Sequence, residues 1–319
     1  MANKPGTVVG RLLPIDLQET NERRFSRKHI NDYIRTFILE DKHCLKVLHK
    51  TIDEVKAWLN AKHYPKKTAR LAELAKLDIR ELVLDLLVHI TYYQEPELFT
   101  GVTGQMAYRM GFVEKRESIQ TVAECLAVMC EGNGFDIFKE SKQSSMMLVS
   151  TLPLPRALEE AIDRSTYLPP MVCEPNKVTN NFESGYLTHN DCIVLGKANG
   201  HTGDLCLDVI NTQNSNVYQM DLDFLCTVEE EPTHEIKDRQ SLVNWNEFKA
   251  QSYELYTLLA QQGNRFWFTH KVDKRGRLYS QGYHLNPQGT AFKKAMLELK
   301  HKETVKGVPD AYKSSSLQT

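Results

Sequence analysis

Apolar residues recur at helical spacing through the first third of the chain. Asp78-x-x-Glu81 opens one such run, and Ile79, Leu82, Val83, Leu86, Leu87 and Ile90 line a single face. Thr51-x-x-Glu54 reads as a capping box ahead of Val55, Trp58 and Leu59, with Pro65 as the stop. A third run begins at Ser118, carries Ile119, Val122, Leu126 and Met129 inward, and ends at the Gly132–Gly134 turn. The period then shortens. Phe135–Phe138 and Met146–Leu152 are strand candidates flanking a polar loop, which predicts a hairpin over 135–152.

Further along, five of the twelve prolines fall in 153–175, marking an extended connection that follows a short helix at 156–164. The Gly- and β-branched-rich stretch 185–206 predicts an irregular hairpin, followed by a helix through Val209–Val228. Asn244-x-x-Glu247 caps another helix, with Phe248, Leu255, Tyr256 and Leu259 on one face and Gly263 at its end. Phe266-Trp267-Phe268 reads as a buried strand, and Ala291, Ala295, Met296 and Leu299 as a final helix. The expected class is mainly α with small β elements (α+β).

Composition narrows the function classes. No run of about 18 apolar residues exists, so no membrane span or membrane partner is expected. Seven cysteines without a Cys-x-x-Cys pair predict reduced thiols and no zinc ribbon. His43, Cys44 and His49 are read as helix-face residues, since further metal ligands are lacking. A formal net charge of −1 argues against wholesale coating of nucleic acid, but it hides a local excess. Residues 264–306 hold ten bases against three acids, a footprint suited to gripping backbone at one place. A solvated face is the other reading of Lys293–Lys306, and also of the basic cluster Arg23, Arg24, Arg27 and Lys28.

The densest chemistry stands at Asp273-Lys274-Arg275-Gly276-Arg277-Leu278-Tyr279, followed by Asn286-Pro287-Gln288-Gly289. An Asp, a glycine that lets backbone approach a ligand, two guanidinium forks and a Tyr suit a turn that holds phosphates. The bare Asp-x-x-Gly-Arg pattern is equally a surface turn. Strand, charged turn, second turn and helix occur in that order over 265–300.

This order resembles the single-subunit RNA polymerases of phages and mitochondria, where the element lies beside the RNA–DNA hybrid at the start of the palm. The segment from Pro169-Pro170-Met171-Val172, through Pro175 and Gly185-Tyr186, to Asp208–Asn214 is similar to the end of that family's N-terminal domain. The resemblance implies that Arg277 and Tyr279 hold template and hybrid, that Lys274 and Arg275 touch backbone, and that Asp273 orients the arginines. Asn286 and Gly289 would shape the next turn. Lys274 departs from relatives that often carry an aromatic there, which substitutes a phosphate contact for stacking. The 135–152 hairpin would wedge between DNA strands, with Lys139 and Lys142 near DNA, or else merely cover the core.

Thirty residues follow Gly289, and they hold no pair of aspartates for two-metal nucleotidyl transfer. His189-Asn190-Asp191 reads as a loop, and Gly196-Lys197 lacks the partner glycine of a phosphate loop. The expectation is therefore the N-terminal subunit of a split polymerase, a division that resembles the heterodimeric enzyme of certain podoviruses. No catalytic residue would lie in this chain. A second subunit would bring fingers, catalytic palm and Mg2+, ribonucleoside triphosphates would be substrates of the complex, and DNA template and RNA–DNA hybrid its ligands. A single-stranded-DNA-binding helper and the cytoplasm of an infected bacterial host complete what the resemblance implies. The expected domains are 1–228 (DNA-binding), 229–263 (reduced thumb) and 264–308 (palm fragment), with a disordered tail at 309–319. Alternatives are a non-enzymatic DNA-binding regulator with a polymerase-derived fold, and a truncated gene product.

Overall fold

A computed structural model describes residues 13–107, 114–140, 145–165, 167–196 and 201–302. The chain forms two compact units. One comprises Asn21–Leu168 with Gly196–Asn199, the other Met1–Thr20, Pro169–Leu195 and Gly200–Thr319. The divisions expected at 228/229 and 263/264 both fall inside the second unit. Helix α1 spans Pro14–Phe25. Among the described residues the class is mainly α with three small sheets. No described helix is long and apolar enough to cross a membrane.

The first unit is helical. It contains α2 (Arg27–Glu40), α3 (Lys42–Asn60), α4 (Pro65–Leu74), α5 (Ile79–Ile90), α6 (Phe99–Met106), α7 (Lys115–Met129) and α8 (Arg156–Arg164). Ile30, Ile34 and Ile38 of α2 recur one turn apart and are fully buried, against Val47 and Leu48 of α3 and Leu86 and Leu87 of α5. Asp78 caps α5, its carboxylate accepting from the N–H groups of Arg80 and Glu81. Thr51, however, caps nothing. It lies in the middle of α3, and its hydroxyl donates to the Val47 carbonyl. The true cap is Asp41, which accepts from His43 and Cys44 N–H at 2.9 Å each. Pro65 starts α4 at its first turn instead of ending α3, as its missing N–H permits. Likewise α7 begins three residues before Ser118, whose buried hydroxyl donates to the Ala107 carbonyl. Strands β1 (Glu97–Leu98), β2 (Phe135–Lys139) and β3 (Met146–Ser150) form an antiparallel sheet in the order β1-β3-β2. The expected hairpin is β2–β3.

The second unit is mixed. It holds α9 (Leu207–Asn214), β4 (Tyr218–Met220), α10 (Leu222–Thr227), α11 (Arg239–Gln261), β5 (His270–Val272), β6 (Leu278–Ser280), α12 (Ala291–Ala295) and β7 (Leu297–Leu299). The single helix expected over Val209–Val228 is thus two helices with a strand between them. Tyr218 leaves the helical path to exchange backbone hydrogen bonds with Phe266 (2.8 and 3.0 Å), and Asp221 caps α10 by accepting from Phe224 N–H. The cap of α11 is Asp238, six residues ahead of the expected Asn244. Residues 185–206 contain no paired hairpin among the described positions; Val194 instead bridges Val272 in parallel. The final helix is only five residues long, because Leu297–Leu299 turn away to pair with β4.

Phe266 and Trp267 behave as a strand that has neighbours on both sides. Phe266 bonds Tyr218, while Trp267 exchanges backbone bonds with Met171 (2.8 and 2.9 Å). Phe266, Trp267 and Phe268 are 0%, 5% and 0% exposed, within the unit's own cores. Phe266 and Trp267 thus find their backbone partners within the unit, at residues 218 and 171.

Candidate nucleic-acid interface

Antiparallel pairing of His270 with Ser280, Lys271 with Tyr279 and Val272 with Leu278 brings the charged turn to a hairpin tip. Asp273 N–H donates to the Arg277 carbonyl (3.0 Å), and Gly276 N–H to the Asp273 carbonyl (2.9 Å). A three-residue loop closed this way needs a left-handed residue at its end, and Gly276 supplies it with φ 78°. Space is not the constraint, since a Cβ at Gly276 would meet no atom within 4 Å. Backbone conformation alone selects glycine here.

The Asp273 carboxylate organises the tip. One oxygen accepts from the backbone N–H groups of Arg275 (2.9 Å) and Arg277 (3.0 Å). The other accepts from Arg275 Nε (3.1 Å) and Nη2 (3.0 Å), from Arg277 Nε (2.8 Å) and from the Tyr279 hydroxyl (3.2 Å). Partial burial by itself would raise this carboxyl's pKa. The Arg277 N–H, its guanidinium and the Tyr279 hydroxyl outweigh that, holding it below the usual carboxylate range. Asp273 in turn raises Arg277, which stays charged. Exposure separates the roles: the Asp273 side chain is 16% exposed, Arg275 70% and Arg277 53%. Two guanidinium groups are thus steadied from behind and open in front. Arg277 also lies 5.6 Å from the centre of the Tyr279 ring. Lys274 is exposed at the same tip, so residues 273–277 carry three bases against one acid.

Asn286 and Gly289 form a second turn that supports the first. Asn286 Nδ2 donates to the carbonyls of Ser280 (3.2 Å) and Gly282 (2.9 Å), and its Oδ1 accepts from Gln288 N–H (2.8 Å). Gln288, which the motif contains but whose role sequence reasoning missed, splints β6. Its Oε1 accepts from Ser280 N–H (2.9 Å) and its Nε2 donates to the Leu278 carbonyl (3.1 Å), taking the place of a neighbouring strand. A Cβ at Gly289 would fall 2.9 Å from Lys293 Cδ and 3.0 Å from the Asn286 carbonyl, so close approach is what demands glycine there. Asp191, read from sequence as a loop residue, pairs with Lys271 on β5.

Two asparagines of α9 are engaged within the unit. Asn211 is bonded to both the N–H (2.8 Å) and the carbonyl (2.9 Å) of Val178, and Asn214 Oδ1 faces Nδ1 of buried His270 at 2.9 Å. In the other unit, Lys139 is exposed at the end of β2, next to half-exposed Phe138 and opposite Met146. Lys142 lies outside the described residues. Arg23, Arg24, Arg27 and Lys28 are all exposed, with Arg27 stacked 4.6 Å over Tyr92.

Among the described residues no group of three or more His, Cys, Asp or Glu is placed to hold a metal ion. All seven cysteines are free thiols, and burial pushes that of Cys44 up to about 12. The tip gathers three exposed basic side chains around one carboxylate, with no nucleophile–base pair among residues 273–279. No protein-family model matches the chain, and no curated protein matches its sequence.

Proposed function

We propose that this chain is the nucleic-acid-holding portion of a phage-type, DNA-directed RNA polymerase assembled from two polypeptides. The observation that carries the proposal is the pair Arg275 and Arg277, pre-oriented on the Asp273 carboxylate with their outer faces open. Pre-orientation removes part of the ordering cost that long basic side chains otherwise meet on binding phosphate. An Arg–phosphate pair in a partly desolvated site contributes ~1.5–3 kcal/mol. Tyr279 beside Arg277 offers a ring face to a base or sugar. In this reading the turn holds the template and the RNA–DNA hybrid, Lys274 touches backbone, and the β2–β3 hairpin with Lys139 and Lys142 lies against DNA. Mg2+ and the carboxylates that hold it belong to a second subunit, with ribonucleoside triphosphates as substrates of the complex in an infected bacterium's cytoplasm.

A second reading, a DNA-binding regulator that works without a catalytic mate, draws support from the burial of Phe266, Trp267 and Phe268 inside this chain's own cores. Template-dependent ribonucleotide incorporation separates the two. Chain co-purified with a candidate catalytic partner should incorporate, and Arg277→Ala should leave that assembly intact while crippling elongation. Wild-type transcription by the Arg277→Ala assembly would refute the assigned role, and failure to find any incorporating assembly would favour the regulator.

A further inference from the structure

A stretch of chain from outside the charged hairpin runs alongside β5. Val272 N–H donates to the Ile193 carbonyl (2.8 Å), and Leu195 N–H donates to the Val272 carbonyl (2.7 Å). The loop before it, 184–191, is tied down at several points. Tyr186 and His189 stack with ring centres 5.0 Å apart and 18° between planes. The Ser184 hydroxyl donates to the His189 carbonyl (3.1 Å), and the Thr269 hydroxyl to that of Tyr186 (3.2 Å). A Cβ at Gly185 would fall 2.7 Å from Pro175 Cβ and 3.1 Å from Thr269 Cγ2, so the loop presses closely on the chain entering β5. It ends at Asp191, whose carboxylate accepts from the Lys271 ammonium. Lys271 stands opposite Tyr279 in the antiparallel register, so both side chains leave the sheet on one face. Asp273 and Arg277 lie two positions further along and share that face.

Two carboxylates therefore stand on an otherwise basic face, and they differ. Asp273 is 16% exposed and accepts from both arginines and from Tyr279. Asp191 is 50% exposed, while Lys271, at 17%, is largely covered. An open carboxylate beside a phosphate-binding turn repels the ligand's backbone. That repulsion is offset where the carboxylate accepts a hydrogen bond from the ligand itself. The donors on a nucleic-acid strand are base N–H groups, which change with sequence, and the ribose 2′-hydroxyl. The hydroxyl recurs beside every phosphate, and only RNA carries it.

We propose that Asp191, fixed by Lys271, accepts a hydrogen bond from a ribose 2′-hydroxyl and makes this face select RNA. The proposal rests on the reading of the adjacent turn as a hybrid-binding element. The test uses the full chain at neutral pH and two short RNA–DNA hybrids of one sequence. In one the RNA strand is native; in the other its 2′-hydroxyls are replaced by fluorine, which keeps A-form geometry but cannot donate. Wild type should bind the native hybrid roughly three- to tenfold more tightly, the worth of one hydrogen bond to a charged group in a half-exposed place. Asp191→Ala should bring that ratio close to one by weakening the native hybrid while leaving the fluorinated one as tight or tighter. Equal affinity of wild type for the two hybrids overturns the 2′-hydroxyl claim alone. So does a ratio that survives Asp191→Ala, or a variant that weakens both hybrids alike, as a merely structural role would. A preference that follows base sequence and ignores the fluorine would assign Asp191 to a base N–H and equally overturn it. A wild-type chain that binds neither hybrid overturns the reading of the turn as well.

Discussion

The two compact units hold themselves together in different ways. In the helical unit, leucine and isoleucine stripes interlock over a single large core, and caps such as Asp41 and Asp78 finish the helices. In the mixed unit, strands of three residues are completed by side-chain amides. Asn211 brackets Val178, Asn264 brackets Met220 (2.9 and 2.8 Å), and Gln288 brackets β6, each supplying both a donor and an acceptor to backbone groups that no strand meets on that side. The lesson is that a fragmentary sheet can be stable without long strands, provided its open edges meet amides. The candidate binding turn stands on that second kind of scaffold, where each bond is singular and its loss is local.

The contrast can be broken from either side. Leu48→Ala or Leu87→Ala in the helical core should cost about 2–5 kcal/mol in urea unfolding, because both side chains are fully buried and leave a cavity. A loss below about 1 kcal/mol would mean that this core is not close-packed. Asn264→Ala should cost about 1–3 kcal/mol by stranding the Met220 N–H and carbonyl. Its effect on hydrogen exchange should be confined to residues around β4 and β7, whereas the leucine changes should lower protection across the helical unit.

Acid should act on the two units unequally. Burial lowers the pKa of His270 and of His284 from 6.5 to about 4. Unfolded chain therefore binds more protons between these values, and stability falls as pH drops from 6.5 toward 4. Asp273, held below the usual carboxylate range, keeps its contribution until the pH falls lower still. Both histidines lie in the mixed unit, so exchange protection there should fail first on acidification. Simultaneous loss in both units would show that they unfold as one. Smallest of all, Gly276→Ala should cost about 1 kcal/mol from its positive φ, read as a modest fall in melting temperature with no steric clash.

What was legible in the sequence follows the same division. Periodicity identified α5, α7, α8 and the β2–β3 hairpin, since long amphipathic runs and alternating strands leave a repeating mark. It misplaced the start of α3 because Thr51-x-x-Glu54 has the right letters inside a helix that Asp41 had already opened. It merged α9, β4 and α10 because nothing local announces that Tyr218 will pair with Phe266, 48 residues away. At the site, the motif showed Asp273, Arg275, Arg277 and Tyr279 as a group, and they do converge. Gln288 stood in the same motif without its purpose being visible, as an amide that braces distant backbone has no periodic signature. Lys293 looked like one of a run of solvated lysines, and only its packing beneath Phe248 and Tyr283 sets it apart.

The guanidinium pair held by Asp273 is proposed to grip nucleic-acid backbone. Affinity of the purified chain for a short RNA–DNA hybrid, measured across a series of salt concentrations, tests it most directly. Wild type should show a linear fall of log affinity with log salt, and Arg277→Ala should weaken binding while reducing that slope by about 1, the loss of one phosphate contact. Equal affinity and equal slope for the two proteins would contradict the claim.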